Sequence, residues 1–154
     1  MLIGTDSLIP DHWFDILGRL GLAIAVGASI GWERQSERKP AGLRTHMLVS
    51  LGSAMFVLSS LQVGAAYPAS DTVSRVIQGT ASGIGFLGAG EIVSKSASSS
   101  ADDPTAIKIH GLTSAAAIWV SASLGVASAC GLWLISMVGA LSTLIILWGV
   151  KKIE

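Results

Sequence analysis

The residues able to do chemistry gather at the two ends of a set of apolar stretches. One group comprises Glu33, Arg34, Arg44, Thr45, His46, Glu91 and Thr113, with Lys108 and His110 nearby in sequence. Carboxylates and an imidazole can bind cations or relay protons, and the basic residues can pair with the acids. No local ligand spacing such as HxxxH or CxxC occurs, so Glu33, Glu91 and His46 could form a metal site only by converging from separate segments. Mg²⁺ needs only one or two carboxylates plus waters and stays open as an ion; no other cofactor is expected. The second group comprises Asp15, Arg19, Asp71, Arg75 and Gln78. Asp15 and Arg19 are spaced i,i+4, as are Asp71 and Arg75, and an acid one turn before a base forms a favourable pair on a helix. Two readings stand: two local ion pairs at helix starts, or one joined polar cluster that includes Gln78.

Other motifs carry less chemistry. The string Gly83-Ile84-Gly85-Phe86-Leu87-Gly88 matches GxGxxG, which binds dinucleotides only where a strand hands over to a helix N-terminus. Here it lies within an apolar helical stretch, so close helix packing is the better reading. Gly27 and Gly31, Gly79 and Gly83, and Ser121 and Gly125 form small-xxx-small pairs that let backbones approach. With Gly85, Gly88 and Gly90 added, the third helix is expected at the centre of the bundle, and Trp119, near the middle of its span, is expected to pack. No nucleophile elbow or triad is present, and no enzymatic activity is expected.

The elements that must position these residues are helices in lipid. Of 154 residues, 51% are hydrophobic and only 13% charged, with a mean hydropathy of +0.64; a soluble domain carries about 25% charged residues. Residues 112–150 contain no charged, His, Asn or Gln side chain. As helix that run would measure roughly 58 Å, nearly two bilayer cores, so it must fold back near Cys130 and Gly131. A lone cysteine allows no internal disulfide and reads as a small apolar residue at a helix end.

Five spans are predicted, at about 13–32, 45–63, 73–94, 112–129 and 132–150, in a single transmembrane domain over 1–154. Backbone in hydrocarbon must satisfy its own hydrogen bonds, so the class is an all-α membrane protein, a bundle of about five transmembrane helices. Trp13 and Trp32 bracket the first span and Trp133 and Trp148 the fifth, where interfacial rings belong. Eight of the ten basic residues fall on one side, which by the positive-inside rule places the N-terminus outside and the C-terminus in the cytosol. The first helix is expected to be retained, because the N-terminus lacks the basic region and cleavage site of a signal peptide. Residues 94–110, with Asp102, Asp103 and Pro104, are expected to form a flexible connector. Glu91 stands only fifteen uncharged residues from Arg75, roughly 22 Å of helix, less than the hydrocarbon core. It is therefore expected inside the bundle, paired with Arg34, Arg44 or His46.

The motifs together resemble the MgtC/SapB family of bacterial inner-membrane proteins. The residues that carry the resemblance are Gly31-Trp32-Glu33-Arg34-Gln35, Pro40-Ala41-Gly42-Leu43-Arg44-Thr45-His46, Leu48-Val49-Ser50-Leu51-Gly52-Ser53-Ala54, the Gly83 to Gly90 run, and Gly111-Leu112-Thr113-Ser114-Ala115-Ala116-Ala117-Ile118-Trp119. Asp71 and Arg75 fall where that pattern has an acid and a base, whereas Glu91 stands where it is often apolar. Ending at Glu154, the chain is similar to the family's short form, without the soluble C-terminal domain of longer members. The resemblance implies a multi-pass protein of the bacterial inner membrane, associated with growth under Mg²⁺ limitation, survival in host cells and control of other membrane proteins, including ATP synthase. The expected partners are the lipid bilayer and either another membrane protein or a second copy as a homodimer; with zero net charge, nucleic acid is not expected. A regulatory protein, a Mg²⁺ or other cation transporter, and a purely structural subunit are the functions to distinguish.

Overall fold

The computed structural model describes residues 13–66, 71–99 and 111–149, with side chains given for most of them. These residues form five helices: α1 (Trp13–Ser36), α2 (Leu43–Ala66), α3 (Thr72–Ser99), α4 (Leu112–Ala129) and α5 (Trp133–Gly149). The first four are long and apolar enough to cross a membrane. The described part of α5 is a shorter apolar helix of 17 residues, about 25 Å long. Helices α1 to α3 outrun the expected spans, because intrahelical hydrogen bonding continues past the apolar stretch. Residues 94–99, expected in the connector, are thus the last turns of α3, while 100–110, with Lys108 and His110, lie outside the described residues.

Two connections end their preceding helices in the same way. After α4 the N–H of Gly131 donates to Ser128 and that of Leu132 to Ala127, with Gly131 at φ +71°. This is the Schellman pattern, whose left-handed residue is usually glycine because a β-carbon clashes there. It turns the long apolar run back on itself at the expected place. After α1 the same bonds run from Arg38 to Gln35 and from Lys39 to Arg34, but the left-handed residue is Arg38, at φ +53°. The side chain of Gln35 then accepts from the Leu43 N–H at 3.2 Å, holding the first turn of α2 against the end of α1.

The bundle is organised around α4, the one helix among the described residues that approaches all four others. Helices α5, α1, α2 and α3 follow one another in an arc around it, and α3 and α5 do not meet. The centrality expected of α3 therefore belongs to α4. A β-carbon added at Gly79, Gly83, Gly85 or Gly90 would meet nothing within 4 Å, and only Gly88 packs, against Ala115. Most of α3 is exposed, so the packing role expected for those four glycines is not realised within the chain. Trp119 is also corrected: it is 52% exposed, on the strip of α4 left uncovered between α3 and α5.

Close packing occurs instead between α1, α2 and α4. A β-carbon at Gly27 would stand 2.7 Å from the His46 carbonyl oxygen, one at Gly31 2.7 Å from Leu43 Cα, and one at Gly125 2.1 Å from the Ser50 carbonyl oxygen. Each obstacle is backbone, which cannot move aside. Lipid offers no hydrophobic reward for helix contact, so such backbone approach supplies the van der Waals gain that holds helices together. Gly125→Ala is expected to destabilise the folded protein in detergent by about 2–3 kcal/mol. Gly83→Ala, with open space and better helix propensity, should leave it unchanged or slightly more stable. Thermal unfolding of both variants followed by tryptophan fluorescence tests this, and equal losses would contradict the placement of α3.

Candidate functional site

The buried face of α2 recurs at a spacing of three and four residues: His46, Ser50, Ser53, Val57 and Ser60. On α4 the buried serines fall seven apart, at Ser114, Ser121 and Ser128. Seven residues is close to two helical turns, so each series forms one line along its helix. Where these lines cross α1, a polar junction forms. His46 and Ser121 are both 0% exposed, and His46 Nδ1 lies 2.8 Å from Ser121 Oγ. One turn on, Ser50 Oγ donates to the Ala23 carbonyl at 2.7 Å. Further along, Ser128 Oγ stands 3.1 Å from Ser136 Oγ of α5 and donates to the Leu124 carbonyl of its own helix. Serine suits this setting because it is small, and because a hydroxyl not used across an interface can bond back to its own helix, as Ser53 and Ser60 do.

At the end of α1 beside this junction, the Arg34 guanidinium grips Glu33 with two parallel bonds, Nη2 to Oε1 at 2.7 Å and Nε to Oε2. Arg34 is only 3% exposed, so the fork satisfies a cation that would otherwise be costly to bury. The pair and the Ala41 backbone lie near His46, whose Nε2 is buried with no hydrogen-bond partner. Three of the residues singled out in the sequence, Glu33, Arg34 and His46, are thus brought into one neighbourhood. Arg44 and Thr113 are not: both side chains are exposed, while Thr45 is half-buried on α2.

Glu91 is half-buried on the α4-facing side of α3, one turn beyond the Gly88–Ala115 contact, and its Oε1 is buried without a hydrogen-bond partner. The expected pairing with Arg34, Arg44 or His46 is not formed. Arg34 is taken by the adjacent Glu33, Arg44 faces outward and His46 faces Ser121. Among the described residues no three His, Cys, Asp or Glu side chains converge, so Glu33, Glu91 and His46 do not make the three-ligand set considered from the sequence.

At the other end, Arg19 is 3% exposed and pairs with Asp15 at 2.8 Å. Its Nη1 also donates to the Ala129 carbonyl at 2.8 Å, and its guanidinium lies against Gly131. A cation at the C-terminus of α4 meets the negative end of the helix and one of its unpaired carbonyls. Arg19 therefore pins α1 to the α4–α5 turn. Asp71, just before α3, and Arg75 and Gln78 on it are all exposed, while Ile16 and Leu20 of α1 and Val73, Val76 and Ile77 of α3 pack on one apolar cluster at this end of the bundle.

Sequence reasoning missed Ser121 as the partner of His46, and missed Ser50, Ser128 and Ser136 as cross-helix groups. The seven-residue repeat of serines at 114, 121 and 128 is the signal that could have found the α4 line.

The fold and these sites define a small multi-pass membrane protein, a helical bundle whose buried polar groups join one helix to another. The chain belongs to the MgtC family, whose model matches residues 20–154. It is 41% identical to the protein SrpB of Synechococcus elongatus over 92% of this chain and 78% of that one. It is 40% identical to the putative magnesium transporter YhiD of Escherichia coli K12, over 81% of this chain and 55% of the relative. It is also 40% identical to the protein MgtC of Salmonella typhimurium, over 77% of this chain and 44% of that protein. The chain thus spans about half the length of the last two. No solved structure matches it.

Because Arg34 is deeply buried, Glu33→Gln should cost about 3 kcal/mol by leaving the guanidinium without its counter-charge. Ser121→Ala should cost about 1–3 kcal/mol by stranding His46 Nδ1, whereas Ser123→Ala, at an exposed position on the same helix, should be neutral. Glu91→Gln is expected to change little. Melting curves of the four variants in one detergent give the ranking, and a loss at Glu91 as large as that at Glu33 would contradict it.

Proposed function

We propose that this protein is a non-enzymatic regulator of a membrane partner in the bacterial inner membrane, acting by helix contact during Mg²⁺ limitation or a related stress. One observation carries the reading. The polar groups at the centre of the bundle are tied to one another, while the α2–α3 face presents an apolar groove of about 600 Å³ that opens sideways. Its walls include Leu48, Phe56, Val76 and Leu87, and Gly52, Gly79 and Gly83 leave room for another helix to approach closely. The Salmonella relative named MgtC supports the family context. In the proposed orientation the N-terminus lies outside and the Glu33–His46 end faces the cytosol.

A second reading, cation transport, is favoured by the description of YhiD as a putative magnesium transporter and by the orphaned Glu91 carboxylate oxygen. It is the weaker one, because transporters usually hold their ion near the midplane between broken helices, and the helices here run unbroken.

Flux of Mg²⁺ into proteoliposomes separates the two. Folded protein is expected to give no flux above empty liposomes, and saturable flux lost in a Glu33→Gln, Glu91→Gln double variant would replace regulation with transport. The groove is tested in cells. Gly83→Leu, whose first side-chain atom meets nothing, is expected to fold normally yet fail to restore growth of a deletion strain at low Mg²⁺. Full restoration would remove the groove from the mechanism. For orientation, a probe cysteine at Ser70 should label from outside and one at Ser98 only after permeabilisation.

A further inference from the structure

The groove between α2 and α3 has a charged head. Its α2 wall runs through Leu48, Gly52 and Phe56, and one turn before Leu48 stands Arg44, in the first turn of the helix. Arg44 is exposed and makes no ion pair or side-chain hydrogen bond among the described residues. Arg38 and Lys39, on the connection that leads into α2, are exposed as well. The acids of this end do not answer them: Glu33 is gripped by Arg34, Glu37 is not free, and Glu91 lies on the α4-facing side of α3. Residues 33–46 carry four basic and two acidic side chains, whereas Asp71 and Arg75 balance at the start of α3.

Inward from Arg44 the groove is dry. Its two hydroxyls turn back on their own helices, Ser53 to the Val49 carbonyl and Thr80 to that of Val76, both at 2.8 Å. Nothing in it is built to hold a polar ligand. From Leu48 to Phe56 on α2 and from Val76 to Leu87 on α3 it is about 12–17 Å long at 1.5 Å per residue. Half of a bilayer's hydrocarbon core is about 15 Å, so the groove has the depth of one leaflet. Trp32, 70% exposed near the end of α1, marks the headgroup level on the Arg44 side, where interfacial rings belong.

We infer that the groove holds an anionic phospholipid, with its phosphate on Arg44 and an acyl chain along Leu48, Gly52 and Phe56. A guanidinium takes a phosphate through two parallel hydrogen bonds, and basic residues near the surface add attraction for anionic headgroups. Gly52, Gly79 and Gly83 leave the groove open enough for a methylene chain to lie close to the backbone and gain dispersion contacts. A zwitterionic lipid would fill the same groove but bring an ammonium group to the basic residues. A soluble phosphate would find Arg44 and leave the groove empty. The inference does not rest on the regulatory reading: a partner helix entering the groove would displace the lipid, and lipid binding is measured on the chain alone.

The test is native mass spectrometry of the full chain, purified in a delipidating detergent and given phosphatidylglycerol and phosphatidylethanolamine with identical acyl chains. Phosphatidylglycerol is expected to bind about five- to tenfold more tightly. Arg44→Gln, a change at an exposed position, should bring it down to the phosphatidylethanolamine level, whereas Arg75→Gln at the other end should keep the preference. Gly52→Leu, whose first side-chain atom meets nothing, should fold normally and lower the binding of both lipids. Melting curves establish that each variant is folded. Equal binding of the two lipids, a preference that survives Arg44→Gln, or lipid binding untouched by Gly52→Leu would each overturn the proposal. So would displacement of the lipid by glycerol 3-phosphate as effective as that by phosphatidylglycerol, which would leave a phosphate site with no part for the groove.

Discussion

At Gly125 the backbone of α4 passes so close to Ser50 of α2 that a β-carbon would overlap its carbonyl oxygen, and at Gly27 and Gly31 α1 approaches α2 almost as closely. These three glycines seat α2 between its neighbours, and the rest of the bundle depends on that approach. A membrane offers no hydrophobic reward for bringing helices together, so contact density has to replace it. Only after the backbones have closed can His46 reach Ser121 and Ser50 reach the Ala23 carbonyl. The polar contacts then fix the register that the glycines permit.

The charged residues follow the same logic at the ends. Arg19 and Arg34 are both buried, yet each is paired with an acid on its own helix, and Arg19 also donates to the Ala129 carbonyl at the end of α4. An intrahelical acid neutralises the cation before any tertiary contact exists, which lowers the cost of inserting it. The α4 carbonyl then converts Arg19 from a local pair into a tie between helices. A bundle held in this way has its central polar groups committed to structure, and the least buried of its four long helices is α3.

Helix α3 shows how one composition can serve two ends. Its glycines resemble those of α1, and from spacing alone both read as packing stripes. In α1 the glycines face α2 at backbone distance; in α3 four of them face nothing within the chain. Small residues permit approach without specifying what approaches. The neighbour is set by the apolar residues Val73, Val76 and Ile77, which turn α3 toward the core and leave Gly88 alone among its glycines in contact with another helix.

The helical class, the five segments, the turn at Gly131 and membership of the MgtC family were legible in the amino-acid sequence, because hydropathy, glycine position and motif order are local properties. The same holds for the Asp15–Arg19 pair, which needs only one helical turn. Tertiary structure alone decided that α4 is the hub, that Trp119 faces outward, and that Glu91 misses the basic residues expected to meet it. It also joined His46 to Ser121 across 75 residues of chain. Each of these depends on how helices are rotated and ordered around one another, and helical periodicity marks a face without naming what lies opposite it.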